Sequence, residues 1–247
     1  MRRRQRVVLA LLAVLALLAG AGAVVALTAA DGSGSPPVQE SPAPADAVLL
    51  IPGYGGDQGP LATLRSALVG QGFEVAVLDI GTGTDDLRGY AADAVKRAQE
   101  LRDAGAPAVS SVGFSAGGLI GRIAAVDDPG LFADVISLAS PHEGTAWALL
   151  GGSSCPVACQ QMQPGSDLLT GLPDAPDAAT WLSIYSTTDQ IIVPTTSSDL
   201  PGASVLTIQS VCPDQTVLHS MVPANPLVVA AVSDFLAGEP LPAACPS

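Results

Sequence analysis

Ser115 stands in the run Val112-Gly113-Phe114-Ser115-Ala116-Gly117-Gly118, a Gly-x-Ser-x-Gly pattern placed where a strand should give way to a helix. Such a turn holds its serine in a strained backbone geometry and displays the hydroxyl above the sheet edge. A serine hydroxyl is a weak nucleophile and needs a general base within hydrogen-bond reach. The chain has two histidines, His142 and His219. In strand–turn–helix sites of this kind the partners follow in the order serine, acid, histidine, with the base late in the chain. His219 fits that position, whereas His142 follows the strand immediately after the serine's helix and comes too early in that order. The acid is expected at Asp189, after the strand-like run Trp181 to Ser186, where a carboxylate can orient the imidazole and stabilise its charged form. Asp174 and Asp177 compete from a proline-rich loop before that strand, and Asp199 from the loop after it. The chemistry these residues offer is nucleophilic acyl transfer.

Acyl transfer also requires donors for the oxyanion that develops in the transition state. The backbone N–H of Ala116 is one expected donor. The other is the N–H of Tyr54 in Pro52-Gly53-Tyr54-Gly55-Gly56, whose glycines free the backbone to turn its amide inward. Tyr54, Met221 and Val222 are expected to face substrate. Trp147 and Trp181 read as core or lid anchors.

Alternating strand and helix patterns must position these groups. Apolar runs predict strands at 47–51, 74–80, 108–113, 132–139, 180–186 and 204–209. Helical spacing predicts helices over 61–69, over about 85–104 behind a Thr84-Asp85-Asp86 cap, over 119–126 and over 227–237. A loop-rich region separates residue 145 from 180. Strands alternating with helices imply an α/β, three-layer fold: a mostly parallel sheet of about six strands with helices on both faces. Reactive groups then gather beyond the carboxyl ends of the strands.

Four segments carry a resemblance: Val-Gly-Phe-Ser-Ala-Gly-Gly (112–118), Ser-Pro-His-Glu-Gly-Thr (140–145), Tyr-Ser-Thr-Thr-Asp-Gln-Ile-Ile-Val-Pro (185–194) and the region of His219. In this order they resemble small bacterial secreted lipases and esterases of the α/β-hydrolase superfamily, over about residues 47–238. The resemblance implies hydrolysis of acyl esters, lipid or small, through an acyl-enzyme and without a cofactor. It departs from the family at Pro52-Gly53, where such lipases usually carry His-Gly. The same machinery could instead serve acyl transfer to a cell-envelope alcohol or sugar, and a non-catalytic surface protein on this fold is a further alternative.

The N-terminus predicts export. Arg2, Arg3, Arg4 and Arg6 precede an almost wholly apolar stretch from Val7 to about Ala30, the pattern of a signal peptide. That stretch also approaches the length of a membrane-spanning helix, so residues 1–30 are either a cleaved leader or an anchor. Residues 31–46 are a Pro/Ser-rich linker too poor in apolar residues to fold alone. Residues 47–247 are the expected catalytic domain.

Four of the ten basic residues lie in the leader, which leaves six against 23 acidic ones, a formal charge of −17 for the remainder. That balance argues against nucleic acid and against electrostatic docking on anionic membranes. A membrane association is expected only through an uncleaved anchor, and the domain is expected to be monomeric. Cys155, Cys159, Cys212 and Cys245 suit two disulfides in an oxidising compartment. Spacing favours Cys155–Cys159 and Cys212–Cys245 over the other two pairings. No metal site is expected, because neither histidine lies at ligand spacing from a cysteine pair.

Overall fold

Five-residue β1 (Ala47–Ile51) is Ala-Val-Leu-Leu-Ile with every side chain buried, the signature of a parallel strand covered on both faces. The computed structural model describes residues 45–246. The expected leader and all but the last two residues of the linker lie outside the described residues. After β1 come β2 (Glu74–Val77), β3 (Val109–Phe114), β4 (Asp134–Leu138), β5 (Thr180–Tyr185) and β6 (Ser204–Thr207). They pair in the order β2-β1-β3-β4-β5-β6, every pair parallel.

Side-chain alternation along β1 divides the core. Leu49 and Ile51 join the cluster under α2 (Leu87–Asp103) and α3 (Ala116–Asp127). Val48 and Leu50 join the cluster under α1 (Ala62–Gly70) and the last helix (Pro226–Leu236). Three layers result. The long α2 buries Leu87, Ala91, Ala94, Ala98 and Leu101, a single apolar face at helical spacing. Its N-cap is Asp86, whose side chain accepts from the Arg88 amide at 3.0 Å and from Gln161 Nε2 at 2.6 Å. The Gln161 contact first, and the Arg88 amide after it, hold this carboxyl below its ordinary value.

Two strands give way early to other structure. The strand expected over 74–80 stops at Val77, because Asp79 Oδ1 takes the Gly81 amide at 2.9 Å and turns the chain away. The strand expected over 204–209 ends at Thr207, and Ile208–Val211 forms a short helix whose Ile208 is buried. Short apolar runs do not reveal by periodicity where a strand yields to a helical turn. The loop-rich region contains a 3₁₀ segment (Ala146–Ser154), α4 (Val157–Gln161) and α5 (Asp167–Thr170); in chain order Ile208–Val211 is α6 and Pro226–Leu236 is α7.

Disulfides join Cys155 to Cys159 and Cys212 to Cys245. The first staples the start of α4, and the second ties the tail back to the end of α6. Among the described residues no helix is long and apolar enough to cross a membrane, and no group of three His, Cys, Asp or Glu could hold a metal ion.

The strand order fixes where chemistry can occur. From β1 the chain moves outward to β2, then crosses back to β3 on the other side of β1. This reversal opens a crevice beyond the carboxyl ends of β1 and β3, the usual ligand position in open α/β sheets. The loop at 52–56 and the turn at Ser115 both emerge there.

Candidate active site

Ser115 adopts φ 56°, ψ −122° between β3 and α3. Left-handed backbone at a residue other than glycine costs energy and persists only when its surroundings over-determine it. Here they do. The Ser115 amide donates to Leu138 O at 2.8 Å, and Ser115 O accepts from the Gly118 amide at 3.1 Å. At Gly113 a Cβ would lie 2.2 Å from Gly117 O, so the strand can approach the helix start only without a side chain. The serine is 8% exposed.

The β1 loop closes over this turn. A Cβ on Gly53 would sit 3.0 Å from Ser115 Cβ, which places the loop directly against the serine. The Gly56 amide donates to Gly53 O at 3.0 Å, and Gly55 and Gly56 take φ of 93° and 69°. Tyr54 and Ser115 line a common hollow of about 410 Å³. Its other walls include Trp147, Leu150, Met162, Ile191 and Ile192, an apolar set suited to a hydrocarbon chain. Ala116 opens α3, where helical amides lack acceptors within the helix.

The imidazole and carboxylate expected from the sequence meet. His219 Nδ1 lies 2.7 Å from Asp189 Oδ2. The other carboxylate oxygen accepts from the amides of Ile191 (2.7 Å) and Ile192 (3.0 Å). Both oxygens are thus engaged, and both side chains are almost wholly removed from water. The His219 ring packs on Phe114 at a centroid distance of 4.9 Å. Because Phe114 immediately precedes Ser115, this contact sets the imidazole beside the serine turn. Among the described residues no hydrogen bond joins Ser115 Oγ to His219, and such bonds often tighten only with substrate bound.

The competing carboxylates stand elsewhere. Asp174 and Asp199 line a separate hollow with Arg122 and His142, and Asp177 is exposed. Val222 is wholly buried among the side chains under the α1–α7 face of the sheet. It is a packing residue, which corrects the expectation that it faces substrate. Met221 is exposed but lines a different hollow, with Asp57, Pro60 and Ser220, and not the one holding Ser115. Trp181 is a core residue; Trp147 is half exposed and forms a wall of the Ser115 hollow.

His142 serves the scaffold. It is 3% exposed, with Nε2 at 2.9 Å from Ser137 Oγ, while its carbonyl accepts from Arg122 Nη1 at 3.3 Å. Burial, reinforced by the Arg122 charge, pushes its imidazole down to about 3 from 6.5. The folded protein therefore keeps His142 neutral, while the unfolded chain protonates it below about pH 6.5. Between those values the unfolded state binds the extra proton, so stability is full above 6.5 and is lost as pH falls toward 3, by up to about 1.4 kcal/mol per unit. Urea midpoints from pH 7 to 4 should thus fall more steeply in the wild type than in His142→Gln. Parallel profiles would contradict this assignment.

Three groups that sequence reasoning passed over hold the loops together. Thr188 Oγ1 accepts from the Val217 amide at 2.9 Å and donates to Val217 O at 3.2 Å. Gln190 Oε1 accepts from the His219 amide at 3.1 Å. Thr145 Oγ1 donates to Ile191 O and accepts from the Val193 amide at 3.1 Å, which joins the 140–145 turn to the Asp189 turn. Their only signal in the sequence is proximity to Asp189 and to the Ser-Pro-His-Glu-Gly-Thr run.

No family model and no curated protein sequence matches the chain. Solved structures do. Lipase B of Aspergillus fumigatus superposes with a TM-score of 0.71 at 21% identity, over 81% of this chain and 54% of that one. This chain therefore spans about half the length of that relative. Lipase BlEst2 of Bacillus licheniformis, in mature form, gives 0.64 at 14% identity over 83% and 95%. Est1E from Butyrivibrio proteoclasticus gives 0.59 at 14% over 81% and 90%. A six-stranded parallel sheet, a serine turn at its switch point and these superpositions agree: the chain has the α/β-hydrolase fold.

Proposed function

We propose that this chain is an exported serine carboxylic ester hydrolase, acting on lipid or small acyl esters. The observation that carries the proposal is the 2.7 Å Asp189–His219 pair packed, through Phe114, beside a left-handed Ser115 at the mouth of an apolar hollow. Ser115 Oγ attacks the acyl carbon and its proton passes to His219 Nε2. The amides of Tyr54 and Ala116 receive the oxyanion, with no reorganisation needed at the moment of reaction. Collapse breaks the ester C–O bond, and the leaving alcohol takes the proton from His219. Water then attacks the acyl-enzyme by the same route and releases the acid. Asp189 holds Nδ1–H throughout and stabilises the imidazolium. The two lipase neighbours support this reading. The two disulfides suit the oxidising side of a membrane.

Partitioning of the acyl group tests the scheme. The purified protein should release butyrate from p-nitrophenyl butyrate, and added methanol should divert part of the product to methyl butyrate. A shared acyl-enzyme requires the same ester-to-acid ratio from phenyl and p-nitrophenyl butyrate. A ratio that follows the leaving group, or no turnover of either ester, would overturn the proposal.

A further inference from the structure

The loop carrying His219 is gripped by three consecutive residues, and only one of them is acidic. Thr188 holds the main chain of Val217 on both its N–H and its C=O. Asp189 holds the ring of His219. Gln190 holds the main chain of His219 itself, its side-chain Oε1 accepting that amide at 3.1 Å. His219 opens a 3₁₀ segment, His219–Ala224, and the first amides of a helical segment lack acceptors within it. Gln190 supplies that acceptor from a different loop.

The position of Gln190 is fixed in turn from the other side. Its main-chain carbonyl accepts the indole N–H of Trp147, a wall of the Ser115 hollow. One exposed residue therefore links Trp147, through its main-chain carbonyl, to the backbone of the histidine, through its side chain. A hydrogen bond to the backbone differs in effect from the Asp189 contact. Asp189 fixes the tautomer and tilt of the ring, whereas an acceptor on N–H fixes where the Cα, and hence the whole imidazole, sits above Ser115. A displacement of about 1 Å at a reacting group can cost 10²-fold in rate, and sites hold such tolerances only through the residues behind the reacting ones.

We propose that Gln190 is a positioning residue for His219. It touches no reacting atom, and the inference rests on the assignment of His219 as the base. Loss of its Oε1 should then lower the rate of proton transfer without altering the hollow that receives the acyl group.

Steady-state kinetics on p-nitrophenyl butyrate separate this from a role in folding. Gln190→Ala is expected to lower kcat by about 10- to 100-fold with KM within about twofold of wild type. Gln190→Glu keeps an acceptor oxygen in place and should recover kcat to within about threefold of wild type. Gln190 is exposed, so its truncation should fold. Should the melting temperature of Gln190→Ala fall, Gln190→Met keeps the length without the acceptor and carries the same test. An unchanged kcat in an active background overturns this inference alone, as does a loss that Gln190→Glu fails to recover. No turnover by the wild type overturns the ester-hydrolase reading and this inference with it.

Discussion

Ser115→Ala is expected to lower kcat for a p-nitrophenyl ester by about 10⁶-fold while leaving KM nearly unchanged. The hollow lined by Trp147, Leu150 and Met162 survives the substitution, so ground-state binding survives with it. What disappears is the covalent route. On the proposed scheme serine and histidine act as one unit, so His219→Ala should cost about as much, and the double variant little more than either alone. Asp189→Asn is a finer probe. An amide at that site still accepts from the Ile191 and Ile192 amides, so the turn should fold. It can also present an N–H to Nδ1 and favour the wrong tautomer, for an expected loss of about 10⁴-fold. Rates measured on the four proteins, with melting temperatures alongside, check this. A Ser115→Ala protein within tenfold of wild type would contradict the account, as would additive losses in the double variant.

Gly117→Ala should damage the same turn by another means, through stability. Its Cβ would lie 2.2 Å from Ile51 O and 2.6 Å from Pro52 O, both backbone atoms at the end of β1. No side chain can swing aside to make room. Either α3 lifts from the sheet or the 52–56 loop shifts, and each moves a donor proposed for the oxyanion. Overpacking ordinarily costs about 1–3 kcal/mol, and a clash with fixed backbone belongs at or above the top of that range. Gly89→Ala is the contrasting case. It lies inside α2 with nothing within 4 Å of its would-be Cβ, so the helix should gain roughly 0.5–1 kcal/mol. Urea unfolding of both variants measures the difference. A Gly117→Ala protein as stable as wild type would mean the close approach of helix and loop is not what shapes the turn.

The sequence makes some of this site visible and hides the rest for definite reasons. Ser115 is legible because its turn demands glycine on both sides, and small residues at 113, 117 and 118 leave a pattern. Asp189 and His219 are legible because strand order forces them to the same sheet edge, although they are 30 residues apart. The alternation of apolar runs with helices is equally legible, except at the ends of β2 and β6, and at the latter Ile208 is buried as well in a helical turn as in a strand. Gln190 and Thr188 are hidden because polar residues in a turn are ordinarily solvated, and nothing local shows that their partners lie in the loop at 217–219. Val222 misled for the complementary reason. Adjacency to His219 suggested a place in the site, but the 3₁₀ segment rotates consecutive side chains about 120° apart, so Val222 faces the core while Met221 faces solvent. His142 could be set aside on chain order alone. Its buried partnership with Ser137, five residues earlier, leaves no local pattern in the sequence.

The central claim is that Ser115 is a nucleophile activated by His219. The most direct measurement is the mass of the protein after incubation with a fluorophosphonate, which reacts with an activated serine oxygen by displacing fluoride. The account predicts one phosphonyl group per chain, located by peptide mapping on Ser115 and lost in His219→Ala. An unmodified Ser115 in a protein that still turns over esters would contradict it.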